Sequence, residues 1–197
     1  MDQRPSAGIG TGTATPQGAA THDPRTIRLH WWTAALVAAL WIIAQLIDDF
    51  PRGLPRISAR STHIVLGVVL VLVVARRIGW RALHGRRLEV PGPRWLGAAA
   101  GAVHLLLYAG LVAVLLLGIT NAWVRGDNLF GLVAIPKLLP GHAQLRPAIE
   151  SLHKILANAL VILAVLHALA ALFHHFHLKD DVLRRMLPRQ APRTRVR

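Results

Sequence analysis

Long apolar runs separated by short polar connections make up most of this 197-residue chain. About 20 helical residues cross the roughly 30 Å hydrocarbon core of a bilayer, and such a segment satisfies its own backbone hydrogen bonds. Four runs reach that length if their polar flanks are also helical, and we predict spans at about 25–48, 56–79, 94–124 and 147–177. The predicted fold class is all-α, an integral membrane four-helix bundle within residues 23–190.

The two ends of the chain lack this pattern. Residues 1–22 are rich in Gly, Thr, Ala and Pro, which predicts a disordered tail with no signal peptide. Residues 191–197 are predicted to form a short basic tail.

Composition narrows the chemistry that this bundle can perform. An apolar fraction of 53% and a mean hydropathy of +0.43 are typical of a polytopic membrane protein. The chain has no cysteine, which excludes disulfides, thiolate zinc sites, iron–sulfur ligation and covalent haem attachment. The net charge of +14 does not indicate nucleic acid as a partner, because the arginines gather at the ends of the apolar runs.

The distribution of cations predicts the orientation. Sixteen of the 23 Lys and Arg lie in the N-terminal segment, the second connection and the C-terminal segment, and only six lie in the first and third connections. The positive-inside rule therefore places both termini in the cytoplasm.

Histidines recur at matched depths in three of the predicted spans. A proline is favoured at a helix start, and His30, His63 and His153 follow three such prolines by six, eight and six residues. His167 lies fourteen residues after His153, about 21 Å further along the same helix and on nearly the same face. Because ionisable residues inside a membrane are costly and mark function, this spacing predicts two metal-centred cofactors stacked across the bilayer.

Topology limits which of these histidines meet. His63 and His153 fall in the outer half of the membrane, and His30 and His167 in the cytoplasmic half. Each pair supplies two axial nitrogens for one haem, which predicts two haem b groups. His104 also lies in the cytoplasmic half, where it either replaces His30 as the partner of His167 or borders a haem or quinone pocket.

Two other interpretations remain open. The histidines could hydrogen-bond neighbouring helices or line a solvated cavity, as in a haem-free transporter or structural membrane protein. A zinc site is the second, but it would need three or four converging ligands, and no carboxylate lies in the interior of a predicted span.

Several runs of sequence resemble the bacterial cytochrome b561 family over about residues 25–190. These runs are IRLHWW, THIVLGVVLVLVVARR, SLHKILANALVILAVLHALAALFHHF, LKDDVLRRMLPR and, around Arg125, AWVRG. The resemblance implies a four-helix, di-haem b protein of the bacterial inner membrane whose ligands fall on His30, His63, His153 and His167.

The resemblance also implies electron transfer between an extracytoplasmic donor and membrane quinone. One branch of the family oxidises superoxide and reduces ubiquinone, which favours an oxidoreductase. Related cytochrome b subunits instead pass electrons between a partner enzyme and quinone, and the sequence leaves this alternative open. No acid–base or nucleophilic constellation is visible, as expected for redox transfer alone.

Arginines near the predicted haems are candidates for binding the propionates. On the outer side these are Arg56, Arg60 and Arg125, with Lys154. On the cytoplasmic side they are Arg25, Arg28, Arg76, Arg77 and Arg94. An outer basic rim of Arg52, Arg56, Arg60 and Arg125 could also steer superoxide, although Asp48 and Asp49 would oppose it.

Overall fold

A computed structural model describes residues 22–84, 93–138 and 143–187 of the chain. It contains four long helices, α1 (Pro24–Leu46), α2 (Leu54–His84), α3 (Arg94–Arg125) and α4 (Arg146–Phe173). Each is long and apolar enough to cross a membrane, counting the short helical extensions of α1 to Asp49 and of α4 to Leu178. The all-α membrane bundle expected from the sequence is therefore confirmed. Most of both predicted tails lies outside the described residues.

Local sequence signals explain where the helices begin and end. The Asp23 carboxylate caps α1 by accepting hydrogen bonds from the backbone N–H groups of Arg25 and Thr26, each at 3.0 Å. Helix α3 ends at Gly126, whose left-handed φ of 64° suits a residue without Cβ. Helix α2 begins at Leu54, two residues before the predicted span, so the short second run does gain a full crossing length.

The helices pack as two antiparallel pairs, α1 with α2 and α3 with α4. A small buried core joins the pairs, formed by Leu36, Leu40, Leu70, Val74, Leu111 and Leu160. A hydrogen bond from Trp41 Nε1 to Asn158 Oδ1, 2.9 Å long, links α1 to α4. Many other apolar side chains face outwards, among them Leu72 and Leu105 at 66% and 68% exposure. Outward apolar surface on this scale is expected where the solvent is lipid.

One end of the bundle, which we call the hairpin end, carries a small β hairpin. Its strands are β1 (Asn128–Leu129) and β2 (Val133–Ala134), paired antiparallel. The hairpin is fastened to α2 by buried Ser61, whose hydroxyl donates to the Ile57 carbonyl at 2.7 Å and accepts from the Phe130 N–H at 2.8 Å. The start of α2 is thereby held against the hairpin.

The opposite end, which we call the terminal end, contains the start of α1 and the last described residues. Helix α4 continues as a π-helical turn over His174–Leu178, and the His174 imidazole lies 2.6 Å from the Asp180 carboxylate. Trp31 Nε1 donates to the Met186 carbonyl at 2.9 Å, and Trp80 Nε1 donates to the Asp23 carboxylate at 3.1 Å. These bonds tie the start of α1 to the segment after α4 and to the end of α2.

Candidate functional site

His63 and His153 face one another near the hairpin end, and we call them the hairpin pair. His63 lies on α2 and His153 on α4, two turns or so from the start of each helix. Their ring centroids are 6.5 Å apart and their planes are inclined at 81°. The structure thus brings together the two residues that topology assigns to the outer half of the membrane.

Each ring of the hairpin pair is held by a backbone carbonyl of a neighbouring helix. His63 Nδ1 lies 3.1 Å from the Leu40 carbonyl of α1, and His153 Nδ1 lies 3.1 Å from the Val114 carbonyl of α3. A carbonyl only accepts, so in the neutral ring Nδ1 carries the proton and Nε2 keeps its lone pair. This is how metal-ligating histidines are usually oriented, with the second nitrogen bonded to an outer partner.

The spacing of the hairpin pair fits an iron with two axial imidazoles. Two metal–nitrogen bonds of about 2 Å, plus roughly 1 Å from each nitrogen to its ring centre, separate two such rings by about 6 Å. The observed 6.5 Å matches this value. The donor set, two neutral imidazoles with free Nε2 atoms, also suits haem b.

The α3 face beside His153 is free of side-chain bulk. A Cβ added at Gly118 would lie 3.2 Å from His153 Cε1, closer than most such contacts. Three residues later, the buried Asn121 Oδ1 has no hydrogen-bond partner among the described residues. Glycine at 118 therefore leaves the His153 ring its position, and an unsatisfied acceptor lies on the neighbouring turn.

The cations predicted as outer propionate partners are engaged with carboxylates. Arg125, 12% exposed, lies 3.3 Å from Asp127 and 3.0 Å from Glu150. Arg60 lies 3.8 Å from Asp127, and Lys154 lies 3.2 Å from Glu150.

Arg56 is held in a similar way. Its guanidinium donates to the carbonyls of Asp48 and Phe50, each at 2.7 Å, and its Nη1 lies 4.0 Å from the Asp48 carboxylate. Acidic partners thus neutralise part of the basic rim at the hairpin end.

His30, His104 and His167 come together nearer the terminal end, and we call them the terminal cluster. The rings of His104 and His167 are in edge contact, with centroids 5.2 Å apart and planes at 68°. That separation is about 1 Å too short for a metal ion bonded to both rings. His30 lies on the neighbouring helix α1, in the same half of the bundle.

His30 differs from the hairpin pair in its partner. Its Nδ1 lies 3.0 Å from Arg77 Nη2, and the Arg77 guanidinium also stacks over the Tyr108 ring at 5.0 Å. An arginine can only donate, so here Nδ1 is the acceptor. Among the described residues, no carboxylate lies within ion-pair distance of Arg77.

Other histidines and metal-binding groups do not add a further centre. Within residues 22–84, 93–138 and 143–187, no three His, Asp or Glu side chains converge as a multi-ligand metal site requires. His84 stacks on Trp80, and His177 stacks on Phe173. His142 lies outside the described residues.

Sequence reasoning missed several partners of the site. The carbonyls of Leu40 and Val114 carry no sequence signal, since every residue has one. Glu150 could have been found, because it stands four residues before Lys154 on one helix, a spacing that favours an ion pair. The contact between Arg77 and His30 depends on how α1 and α2 are aligned and has no local signal.

Comparison with known proteins supports the same interpretation. The family model for prokaryotic cytochrome b561 matches residues 21–189. Cytochrome b561 homolog 1 of Escherichia coli is 34% identical over 168 residues, covering 83% of this chain and 95% of that protein. Cytochrome b561 homolog 2 of the same organism is 31% identical, covering 80% and 86%.

A third relative carries a more specific name. The probable superoxide oxidase CybB of Yersinia pestis is 29% identical over 167 residues, covering 83% of this chain and 94% of that protein. The histidine geometry, the four apolar helices and these matches lead to one conclusion: this chain belongs to the prokaryotic cytochrome b561 family, and so is a multi-pass bacterial membrane protein of haem b electron transport.

Proposed function

We propose that this protein is a superoxide:quinone oxidoreductase of the bacterial inner membrane. Two haem b groups are held in series, one by His63 and His153 and the other by His30 and His167. Both termini face the cytoplasm, so the hairpin end faces outwards. The observation that carries the proposal is the hairpin pair, whose 6.5 Å spacing and carbonyl-bound Nδ1 atoms suit axial ligation.

Bound haem b supplies a reversible one-electron Fe(III)/Fe(II) couple. The chain contributes placement. Helix α4 carries one ligand for each centre fourteen residues apart, which separates the centres by about 21 Å along the helix. The carbonyls of Leu40 and Val114 hold the hairpin pair in the ligating tautomer.

Electrons balance if two superoxide anions are oxidised to two O₂ while one quinone takes up two electrons and two protons to form the quinol. The hairpin end suits an anionic donor, because the described residues there include seven Lys or Arg against four Asp or Glu. That excess is modest, since Asp127 and Glu150 neutralise part of it. It favours faster encounter with an anion at low ionic strength.

The test uses the purified protein in detergent. A pyridine haemochrome assay should give two haem b per chain, and a reduced-minus-oxidised spectrum should show b-type bands. Superoxide should reduce the haems without any partner protein, and added ubiquinone should reoxidise them. One haem per chain, or none, would contradict the two-centre arrangement.

The second candidate is an electron-transfer subunit that serves a partner redox enzyme. A protein with two haems that superoxide does not reduce, but that quinol reduces, would favour this alternative. The matched control is superoxide with superoxide dismutase present, which should abolish the reduction if superoxide is the donor.

A further inference from the structure

Arg77, near the end of α2, is a partly buried cation, and among the described residues it has no acidic partner. Its described partners are the His30 ring and Tyr108, and neither is a carboxylate. At the hairpin end, by contrast, Arg125 has two carboxylates within 3.3 Å. A guanidinium partly removed from water without a counterion is costly, so an anion bound beside Arg77 would be stabilised there.

The hydrogen bond from Arg77 determines which nitrogen of His30 carries the proton. While Arg77 donates to Nδ1, the proton of the neutral ring sits on Nε2, and neither nitrogen has a free lone pair. For His30 to ligate through Nε2, as the hairpin pair is arranged to do, Nδ1 must carry the proton. An Nδ1–H cannot accept from Arg77. Ligation by His30 and its hydrogen bond from Arg77 therefore exclude one another.

We propose that Arg77 binds a propionate carboxylate of the haem held at the terminal cluster, and that this pairing releases His30 to serve as an axial ligand. A guanidinium and a carboxylate attract one another and form strong, charge-assisted hydrogen bonds. The guanidinium lies over the Tyr108 ring, with 5.0 Å from Cζ to the ring centroid. This assignment rests on the proposed pair of haems.

The reduction potential of each haem provides the test, since a nearby positive charge stabilises the ferrous over the ferric state. Redox titration of the whole protein is done on Arg77→Gln, on Arg77→Lys and on the control Arg76→Gln, whose arginine is the exposed neighbour on the same helix. The haem of the terminal cluster is identified as the one that His63→Ala retains.

Arg77→Gln should lower the reduction potential of that haem by at least about 59 mV, which is a tenfold change in the equilibrium constant of its one-electron reduction. The other haem should not change, and Arg76→Gln should change neither. If Arg77→Gln loses the haem altogether, Arg77→Lys should restore it with a potential near the wild-type value, because the charge is restored.

Three outcomes would overturn the proposal. One is that the equilibrium constant for reduction of this haem in Arg77→Gln lies within threefold of the wild-type value. Another is failure of Arg77→Lys to restore a lost haem. The third is an unchanged potential with less co-purified phospholipid, since Arg77 would then bind a lipid phosphate. A wild-type protein with one haem contradicts the proposed function itself, whereas two haems with an insensitive potential contradict only the role of Arg77.

Discussion

The hairpin pair and the terminal cluster are built from the same residue type but are prepared differently. At the hairpin pair, both Nδ1 atoms are fixed by carbonyls and the surrounding cations are balanced by carboxylates. At the terminal cluster, two rings touch at 5.2 Å, and the third accepts from an arginine that has no acidic partner. The first centre is arranged for a ligand before it arrives, whereas the second has contacts that a ligand must replace.

This difference separates two ways of building a haem site in a helix bundle. Fixing the imidazoles by backbone carbonyls ties each ligand to helix packing, so the site is as rigid as the bundle. A partly buried cation with no acidic partner among the described residues instead makes the site depend on the charge of the cofactor. We therefore expect the hairpin pair to tolerate the absence of haem better than the terminal cluster does.

The largest effect is expected from removing a ligand of the hairpin pair. His63→Ala or His153→Ala should lose one of two haems and keep the other, because the two centres share no ligand. Haem per chain by pyridine haemochrome, with the spectrum of the remaining haem, measures this. His177→Ala, an exposed histidine stacked on Phe173, is the control and should keep both. Loss of both haems from His63→Ala would show that the centres are not independent.

The second prediction decides which histidine partners His167. His30→Ala should lose the haem of the terminal cluster, whereas His104→Ala should keep both haems and only shift a potential. The reason is that the rings of His104 and His167 are too close to hold an iron between them. Haem stoichiometry of the two variants, prepared side by side, gives the answer. The opposite pattern would make His104 the ligand.

A smaller effect is expected from crowding a ring without removing it. A side chain at Gly118 would press on His153, whose Cε1 lies 3.2 Å from the position of a Cβ. Gly118→Val should therefore weaken binding at the hairpin pair by about 10–100-fold, the usual cost of disturbing the support of a metal ligand. The fraction of haem that the variant retains when mixed with a haem-free haem-binding protein measures this loss of affinity.

The matched control lies on the same helix. Gly101 has nothing within 4 Å of an added Cβ, so Gly101→Ala should retain both haems and gain up to about 1 kcal/mol of helix stability. Equal haem loss from both glycine variants would point to helix α3 as a whole, and the contact with His153 would not be the cause.

Much of the fold could be predicted from the sequence because each membrane-spanning helix is recognisable from its own residues. An apolar run needs no information about its neighbours to be recognised, and the proline before Arg25 marks the start of α1 without reference to the rest of the fold. The meeting of His63 with His153 also followed, since the number of crossings fixes the side of each residue.

The contacts between side chains of different helices could not be predicted, because they depend on the rotation of each helix about its axis. Gly118 and Val114 face His153 because of the rotation of α3 about its own axis. No local sequence signal marks that face of the helix. The same holds for Arg77, one of two adjacent arginines that the sequence does not distinguish. Ligand roles for the four histidines stay predictions until the variants above are measured.

The smallest expected effect tests the cap that anchors α1 at the terminal end. Burial acts to raise the pKa of Asp23, but hydrogen bonds from Thr26, Trp80 and the Arg25 N–H outweigh it and hold the pKa below its usual 3.8. A carboxylate whose pKa is lower in the folded state stabilises the fold at neutral pH, and this contribution is lost as pH falls through that lowered value. Asp23→Ala should cost about 1 kcal/mol of unfolding free energy at pH 7. Unfolding in mixed detergent micelles at two pH values measures it. The gap from wild type should narrow in acid, and a gap that does not change with pH would mean that the Asp23 charge contributes nothing.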